Sequence, residues 1–139
     1  MAKLQLAIVT AEGESFSGEV DKVVAPGGLG EFTVLPSHAR MISTLSAGIL
    51  RFDQSGDSVS LAMSGGFLEV SDNRVTVLAD AAEQDDAIDL ERAEAALERA
   101  QKLIASSTAD VDLEKATASL QRARVRVKLG RRRRERGLG

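Results

Sequence analysis

Apolar and polar residues alternate with a period of two through roughly the first 80 residues of the chain. Leu4, Leu6 and Ile8 occupy alternate positions near the start, and the segments 68–70 and 75–77 repeat the pattern. Clusters of Gly, Ser, Asn and Asp separate such runs at intervals of about 8–12 residues. This spacing predicts short antiparallel strands that form a β-sandwich or a flattened barrel.

After Asp80 the apolar residues recur every three or four positions, which predicts two amphipathic helices. Asp89 and Asp112 are the predicted N-caps, the polar segment 106–110 separates the helices, and Gly130 is predicted to end the second one. The predicted apolar stripes consist of Leu90, Ala93, Leu97, Ala100 and Ile104 in the first helix, and of Leu113, Ala116, Leu120, Ala123 and Val127 in the second. Two helices of similar length joined by a short break predict an antiparallel hairpin.

The two periodicities predict an α+β protein with a β-sandwich over residues 1–84 and a helical hairpin with a basic tail over residues 85–139. The seam of the hairpin is rich in Ala, so each residue buries little apolar area, worth about 25 cal/mol per Å². We therefore expect the hairpin to be held only moderately and to be able to rearrange.

Composition narrows the function classes. The 139 residues include no Cys, which excludes disulfides, thiolate metal sites and thiol catalysis. No apolar run approaches the roughly 18 residues that span a bilayer, and the first residues lack the apolar stretch of a secretory signal. The net charge of −3 is unevenly distributed: residues 1–83 and 84–114 each carry −6, and residues 115–139 carry +9. Such a polarised end is typical of an interaction surface or a solvated tail.

Four segments, in this order, carry a family resemblance. Residues 23–39 read VVAPGGLGEFTVLPSHA, residues 64–70 read SGGFLEV, residues 74–83 read RVTVLADAAE, and a polar break follows at 106–112. Together they resemble the epsilon subunits of F-type ATP synthases: a Gly-rich turn, Gly-Glu, an apolar pair, Pro, a small residue and His, then a Ser-Gly-Gly strand. The resemblance extends to about Lys128, and it does not include the run of arginines at 131–134.

The resemblance implies a non-catalytic rotor subunit of a bacterial enzyme. Such a subunit joins gamma to the c-ring in the central stalk, helps couple proton translocation to ATP synthesis, and restrains ATP hydrolysis when its hairpin extends toward the alpha/beta hexamer. It would be a peripheral protein on the cytoplasmic face of the plasma membrane, held there only through the complex.

Residues 31–38 correspond in the resemblance to the loop that lies against the c-ring, with Glu31 as the main charged contact and His38 beside it. A solvated position for both is the alternative, because an exposed ion pair is worth only about 0.2–1 kcal/mol. His38 as a catalytic base is a distant third, because no nucleophile, metal set or paired carboxylates accompany it. The segment 27–30 is predicted to be a turn and not a phosphate loop, since Gly-Lys-Ser/Thr and a following helix are absent.

The segment Ile88-Asp89-Leu90-Glu91-Arg92-Ala93 matches the Ile/Leu-Asp-x-x-Arg-Ala motif with which some epsilon subunits bind ATP. Arg122 and Arg126, spaced i, i+4 on one helical face, would complete that site. Regulatory ATP is the one cofactor that the resemblance implies, and no metal is expected. The alternative is an ordinary capped helix start, with Asp89 as cap and Arg92 in the first turn.

The basic segment has three interpretations. It contains Arg122, Arg124, Arg126, Lys128, Arg131, Arg132, Arg133, Arg134 and Arg136. It is a solvated tail, or a surface that meets the acidic C-terminal regions of beta subunits when the hairpin extends, or the binding surface of a free-standing adaptor for an acidic partner or RNA. We favour the second, because interleaved aromatics and a nucleic-acid-binding fold are both absent.

Overall fold

The computed structural model describes residues 2–106 and 113–135. Ten strands are followed by a single 3₁₀ turn at Asp85–Ala87 and by two helices. The strands are β1 (Leu4–Thr10), β2 (Gly13–Val20), β3 (Lys22–Gly27), β4 (Gly30–Val34), β5 (Met41–Leu45), β6 (Gly48–Gln54), β7 (Asp57–Met63), β8 (Gly66–Ser71), β9 (Arg74–Ala79) and β10 (Ala82–Gln84), and the helices are α1 (Leu90–Ala105) and α2 (Leu113–Glu135). The predicted order of a β-sandwich and then two packed helices is confirmed.

The strands form one strongly curved sheet in the order β10-β7-β6-β3-β5-β8-β9-β1-β2, and β4 pairs with β3. One pairing differs from the all-antiparallel prediction: β1 runs parallel to β9, with Leu6 opposite Val75 and Ile8 opposite Val77. These strands are far apart in the chain, so no tight turn between them requires an antiparallel arrangement.

The core of the sandwich is aliphatic, as the alternation predicts. Fully buried side chains on alternate strand positions come from β1, β3, β6, β7, β8 and β9: Leu4, Leu6, Ile8, Val23, Leu50, Leu61, Leu68, Val70, Val75 and Val77. Phe52 is the large aromatic among them, and its ring lies 4.4 Å from that of Phe16. The predicted turn at 27–30 is confirmed, because Gly27 pairs with Gly30 at the end of the β3–β4 ladder.

The two helices, which we call the helix pair, pack antiparallel. Arg131 near the end of α2 contacts Glu94 near the start of α1. The predicted Ala seam is present, since Ala93, Ala100, Ala116 and Ala123 are all buried. The predicted cap is also present: the Asp89 carboxylate accepts the backbone N–H of Arg92 at 3.2 Å. The predicted cap Asp112 and most of the break before it lie outside the described residues.

Gly130 does not end the second helix, contrary to the prediction. It lies buried inside α2, which continues to Glu135, so α2 has 23 residues against 16 in α1. A Cβ at this position would lie 3.1 Å from Leu90 Cδ1 and 3.3 Å from Ile88 Cγ2. The glycine therefore serves close packing of α2 against the start of α1, which outweighs its poor helix propensity of about 1 kcal/mol.

The helix pair rests on the sandwich mainly through α2, which packs against β6, β7 and the 3₁₀ turn. Val127 and Leu129 of α2 are buried, and this contact leaves a cleft between the helices and the last strands. In the described part of the chain, neither helix is long and apolar enough to cross a membrane.

Candidate functional site

A cleft of about 660 Å³ lies between the helix pair and strands β7 and β10. Ala62, Met63 and Ala82 line it from the sandwich, and small side chains of both helices line it from the other side. This volume is within the range of small-molecule sites, about 300–1,000 Å³. The cleft therefore has room for a ligand of nucleotide size.

Three arginines line the cleft: Arg99 from α1, and Arg122 and Arg126 from α2. Arg126 is paired with Glu83 of β10, and Nη2 of Arg122 donates to Oγ of Ser119 at 3.1 Å. Guanidinium groups bind phosphate oxygens with paired, charge-assisted hydrogen bonds. Three such groups can hold a polyphosphate, and they share the cleft with the carboxylates of Glu12 and Glu83.

The predicted nucleotide motif lies beside the cleft and does not line it. Ile88 packs near Gly130, Ala93 is fully buried in the seam, and the Asp89 carboxylate caps α1. Arg92 is exposed, one helical turn before Ala96, which does line the cleft. Residues 92, 96, 99 and 103 share one face of α1. Arg92 therefore lies on the helical face that lines the cleft, one turn nearer the start of the helix.

Arg99 and Glu83 are among the cleft residues that the sequence did not predict. Arg99 stands seven positions after Arg92, a spacing that places both on the same face of a helix. That spacing was a usable signal. Glu83 gave none, because only the folded chain brings the short strand β10 to α2.

Glu31 is the second residue of β4, and His38 lies four residues after the strand ends. Glu31 is exposed and pairs with Pro26 near the tip of the β3–β4 hairpin. His38 follows the other end, and its Nδ1 lies 2.7 Å from the carbonyl oxygen of Ala39. Since a carbonyl only accepts, Nδ1 carries the proton in this contact. β4 pairs with β3 alone among the described strands, which leaves the other edge of β4 open between the two residues.

The other predicted basic residues lie away from the cleft. Arg124, Lys128, Arg131 and Arg132 line a separate groove with Leu97, Val127 and Glu135, which we call the basic groove. Arg131 contacts Glu94 at 3.4 Å, and Arg133 contacts Asp85 at 3.5 Å. Arg134 is exposed at the end of α2, and Arg136 lies outside the described residues. The basic end of the chain therefore faces, in part, the acidic stretch that begins α1.

Three large apolar side chains are exposed together on the outer face of the sandwich. Ile42 of β5, Phe67 of β8 and Leu78 of β9 are 73%, 55% and 54% exposed. Phe67 is directly opposite Leu78 in the β8–β9 ladder, and Ile42 lies diagonally from Phe67. Contiguous exposed apolar patches are typical of protein-interaction surfaces. We call it the apolar face.

Two family models match consecutive parts of the chain. The ATP synthase Delta/Epsilon chain β-sandwich domain matches residues 3–85, and the ATP synthase Delta/Epsilon chain long α-helix domain matches residues 86–129. The second match ends just before Gly130, so the last turn and a half of α2 extends beyond it.

Curated relatives and a solved structure agree with these models. The chain is 49% identical over 112 residues to the ATP synthase epsilon chain of Desulforamulus reducens, covering 80% of this chain and 85% of that one. It is 52% identical over 105 residues to the epsilon chain of Dehalococcoides mccartyi, covering 76% and 75%. It also matches a chain of the Euglena gracilis mitochondrial ATP synthase OSCP/F1/c-ring structure, with a TM-score of 0.78, 25% identity, and coverage of 87% and 77%.

Proposed function

The chain belongs to the ATP synthase epsilon-chain family, and from this premise we propose that it is the rotor subunit of the central stalk that links gamma to the c-ring. It is a non-catalytic component of the synthase. In this role it couples proton translocation to ATP synthesis, which takes place in the alpha/beta hexamer. The observation that carries the proposal is a family match over residues 3–129, the sandwich and nearly all of the helix pair.

A stable complex with gamma tests this role directly. The apolar face of Ile42, Phe67 and Leu78 supports a protein partner, because a folded chain gains by covering such side chains. Co-expression with a cognate gamma subunit should yield a complex that survives size-exclusion chromatography, and Phe67→Ser should weaken it. Arg51→Ser, on an exposed strand position outside this face, is the matched control. Failure of the unmodified chain to bind gamma would contradict the proposal.

For the c-ring, we propose a contact along the open edge of β4 and the following turn, with Glu31 and His38 at its two ends. Glu31→Gln should lower proton pumping per ATP hydrolysed in inverted vesicles, while Glu14→Gln, which changes an exposed carboxylate on β2, should not. Equal pumping ratios in all three proteins would exclude Glu31 as a coupling contact. The bacterial relatives support a location on the cytoplasmic face of the plasma membrane, with attachment only through the complex.

We propose that the C-terminal part restrains ATP hydrolysis. The sandwich and the C-terminal part would divide near residues 84 and 85, so that the helix pair can leave the sandwich. Its basic residues would then contact acidic C-terminal regions of beta. The residues concerned are Arg122, Arg124, Arg126, Lys128 and Arg131 to Arg134. The small Ala seam supports a modest cost of rearrangement. Truncation after Val111 should raise the ATPase activity of the assembled complex, and unchanged activity would contradict the brake.

We propose that ATP binds in the cleft as a regulator and that bound ATP favours the arrangement in which the helix pair packs on the sandwich. Arg122 and Arg126 would hold the phosphates, and Arg92 lies on the helical face that extends the cleft, near the capping Asp89 and the packed Ile88 and Ala93. Calorimetry of the isolated chain should show ATP binding that Arg122→Gln weakens. Arg124→Gln changes the same residue type in the basic groove and should leave binding unchanged. No heat at millimolar ATP would exclude the site.

A second candidate function rests on the basic groove, whose four cations would also suit an acidic partner or RNA. This is the adaptor alternative. Retention of added RNA in moderate salt, in a preparation without gamma, would favour the adaptor over the stalk role.

A further inference from the structure

Three separate segments of the chain meet at Asn73, in the two-residue turn between β8 and β9. Its side-chain Oδ1 accepts the backbone N–H of Ser37 at 2.8 Å, and its Nδ2 donates to the backbone carbonyl of Lys3 at 2.7 Å. Its own carbonyl accepts the N–H of Gln5 at 3.1 Å. Both side-chain partners are backbone groups of fixed polarity, so only one orientation of the amide satisfies them.

The segment reached through Ser37 is a tight turn with its own signature. The N–H of His38 donates to the carbonyl of Leu35 at 3.1 Å, Pro36 occupies the second position, and Ser37 has a φ of 66° in the third. A proline followed by a residue with positive φ is the pattern of a type II turn. Glycine is the residue usually found at that third position, since side chains are disfavoured there. The turn therefore gains from an outside contact at Ser37, and Asn73 supplies it.

We infer that Asn73 is a positioning residue for the turn formed by residues 35–38. It ties this turn to the β8–β9 turn and to the start of β1, and so fixes where His38 and the end of β4 lie on the surface. The inference deepens the proposed function, because it rests on the c-ring contact assigned above to Glu31 and His38. Asn73 would not touch the ring itself.

The turn that contains Asn73 permits a selective test. Asp72 and Asn73 have φ values of 51° and 60°, the pattern of a type I′ turn, in which glycine is favoured at the second position. Asn73→Gly therefore removes both side-chain hydrogen bonds and keeps the turn. Asn73→Asp keeps an acceptor for Ser37 and loses the donor to Lys3, so it serves as the partial rescue. Asp72→Asn is the control within the same turn.

The first measurement is amide hydrogen exchange at Ser37 in the full chain. Asn73→Gly should speed this exchange about fivefold, the ratio expected for the loss of one hydrogen bond. Asn73→Asp and Asp72→Asn should leave it near the original rate. An unchanged rate in Asn73→Gly would overturn the inference, whatever happens in the assembled enzyme.

The second measurement is proton pumping per ATP hydrolysed, with the same variants in the assembled synthase in inverted vesicles. Asn73→Gly should lower the ratio, and Asn73→Asp should restore most of it. If Glu31→Gln lowers the ratio and Asn73→Gly does not, positioning by Asn73 is excluded while the ring contact stands. If Glu31→Gln and His38→Ala both leave the ratio unchanged, the ring contact fails, and the hydrogen-exchange result alone decides whether Asn73 positions the turn.

Discussion

Arg126 contacts both carboxylate oxygens of Glu83: its Nε lies 2.7 Å from Oε1, and its Nη2 lies 3.4 Å from Oε2. This forked pair joins α2 to β10 across one wall of the cleft. In the folded arrangement, Arg126 therefore already holds a carboxylate where the proposed ligand would present a phosphate. The proposed ligand would therefore have to share Arg126 with Glu83 or displace Glu83 from it.

We expect the Glu83–Arg126 pair to contribute about 0.5–1 kcal/mol to stability, the upper part of the range for accessible ion pairs. About a third of each side chain is exposed, so solvent screens the pair, although its forked geometry favours a measurable coupling. Glu83→Gln, Arg126→Gln and the double variant form a double-mutant cycle, measured by urea unfolding.

The coupling should shrink in 1 M salt, since the Debye length there is about 3 Å. Lys102 and Glu98, an exposed i, i+4 pair on α1, provide the control cycle, with an expected coupling of about 0.3–0.5 kcal/mol. A Glu83–Arg126 coupling no larger than that of the control would show that the pair does not help to hold α2 on the sandwich.

Gly66 should tolerate alanine far less well than Gly13, although both have φ values that disfavour side chains, +146° and +124°. A Cβ on Gly66 would lie 2.1 Å from the backbone carbonyl oxygen of Leu78, whereas a Cβ on Gly13 would meet nothing within 4 Å. We expect Gly13→Ala to cost about 1–2 kcal/mol from backbone strain alone. Gly66→Ala should cost at least about 2 kcal/mol more. Equal unfolding midpoints for the two variants would show that the close approach of β8 and β9 is not required.

Most of the sandwich could be predicted from the sequence, because a strand with one buried face alternates apolar and polar residues, as at Leu68 and Val70. The parallel pairing of β1 with β9 could not be predicted in this way, since alternation indicates which face a residue is on and not which strand lies beside it. Gly130 misled the prediction for a related reason. Its local signal is that of a helix end, but the decisive contacts, with Ile88 and Leu90, are about 40 residues away in the chain.

The residues of the cleft could be predicted only in part. The i, i+4 spacing of Arg122 and Arg126 placed them on one face of α2, and both line the cleft. The motif from Ile88 to Ala93 belongs to the start of α1, where Asp89 satisfies the first turn and Ala93 lies in the seam. No periodic signal could have found Glu83, which reaches Arg126 only because β10 pairs with β7.

Gly130→Ala and Gly130→Leu should separate helix propensity from packing. Alanine gains about 1 kcal/mol of propensity over glycine, while its Cβ would need the end of the Leu90 side chain to move by a few tenths of an ångström. We expect a change of less than about 1 kcal/mol. Leucine is also a good helix former but adds three further carbons at this buried position, so we expect a loss of about 1–3 kcal/mol. Thermal unfolding followed by circular dichroism measures both. A stable Gly130→Leu protein would mean that α2 does not need this close approach to α1.

Acid should weaken the fold at the start of β1, where the Lys3 ammonium donates to the Asp21 carboxylate. This hydrogen bond, with the N–H of Ser55 as a further donor, holds the pKa of the Asp21 carboxyl below its ordinary value. Because the folded pKa is the lower one, the unfolded chain binds the proton more readily. The contribution to stability is therefore fully present above about pH 4 and is lost as the pH falls through the folded pKa.

Lys3→Met should move the pKa of Asp21 toward its ordinary value, seen by NMR titration of the carboxyl carbon, and should flatten the fall in urea midpoint below about pH 4. Lys22→Met, which removes the ammonium 3.5 Å from Asp53, should leave the titration of Asp21 nearly unchanged. An Asp21 titration that is the same in the Lys3→Met protein as in the original chain would show that Lys3 does not control this carboxyl.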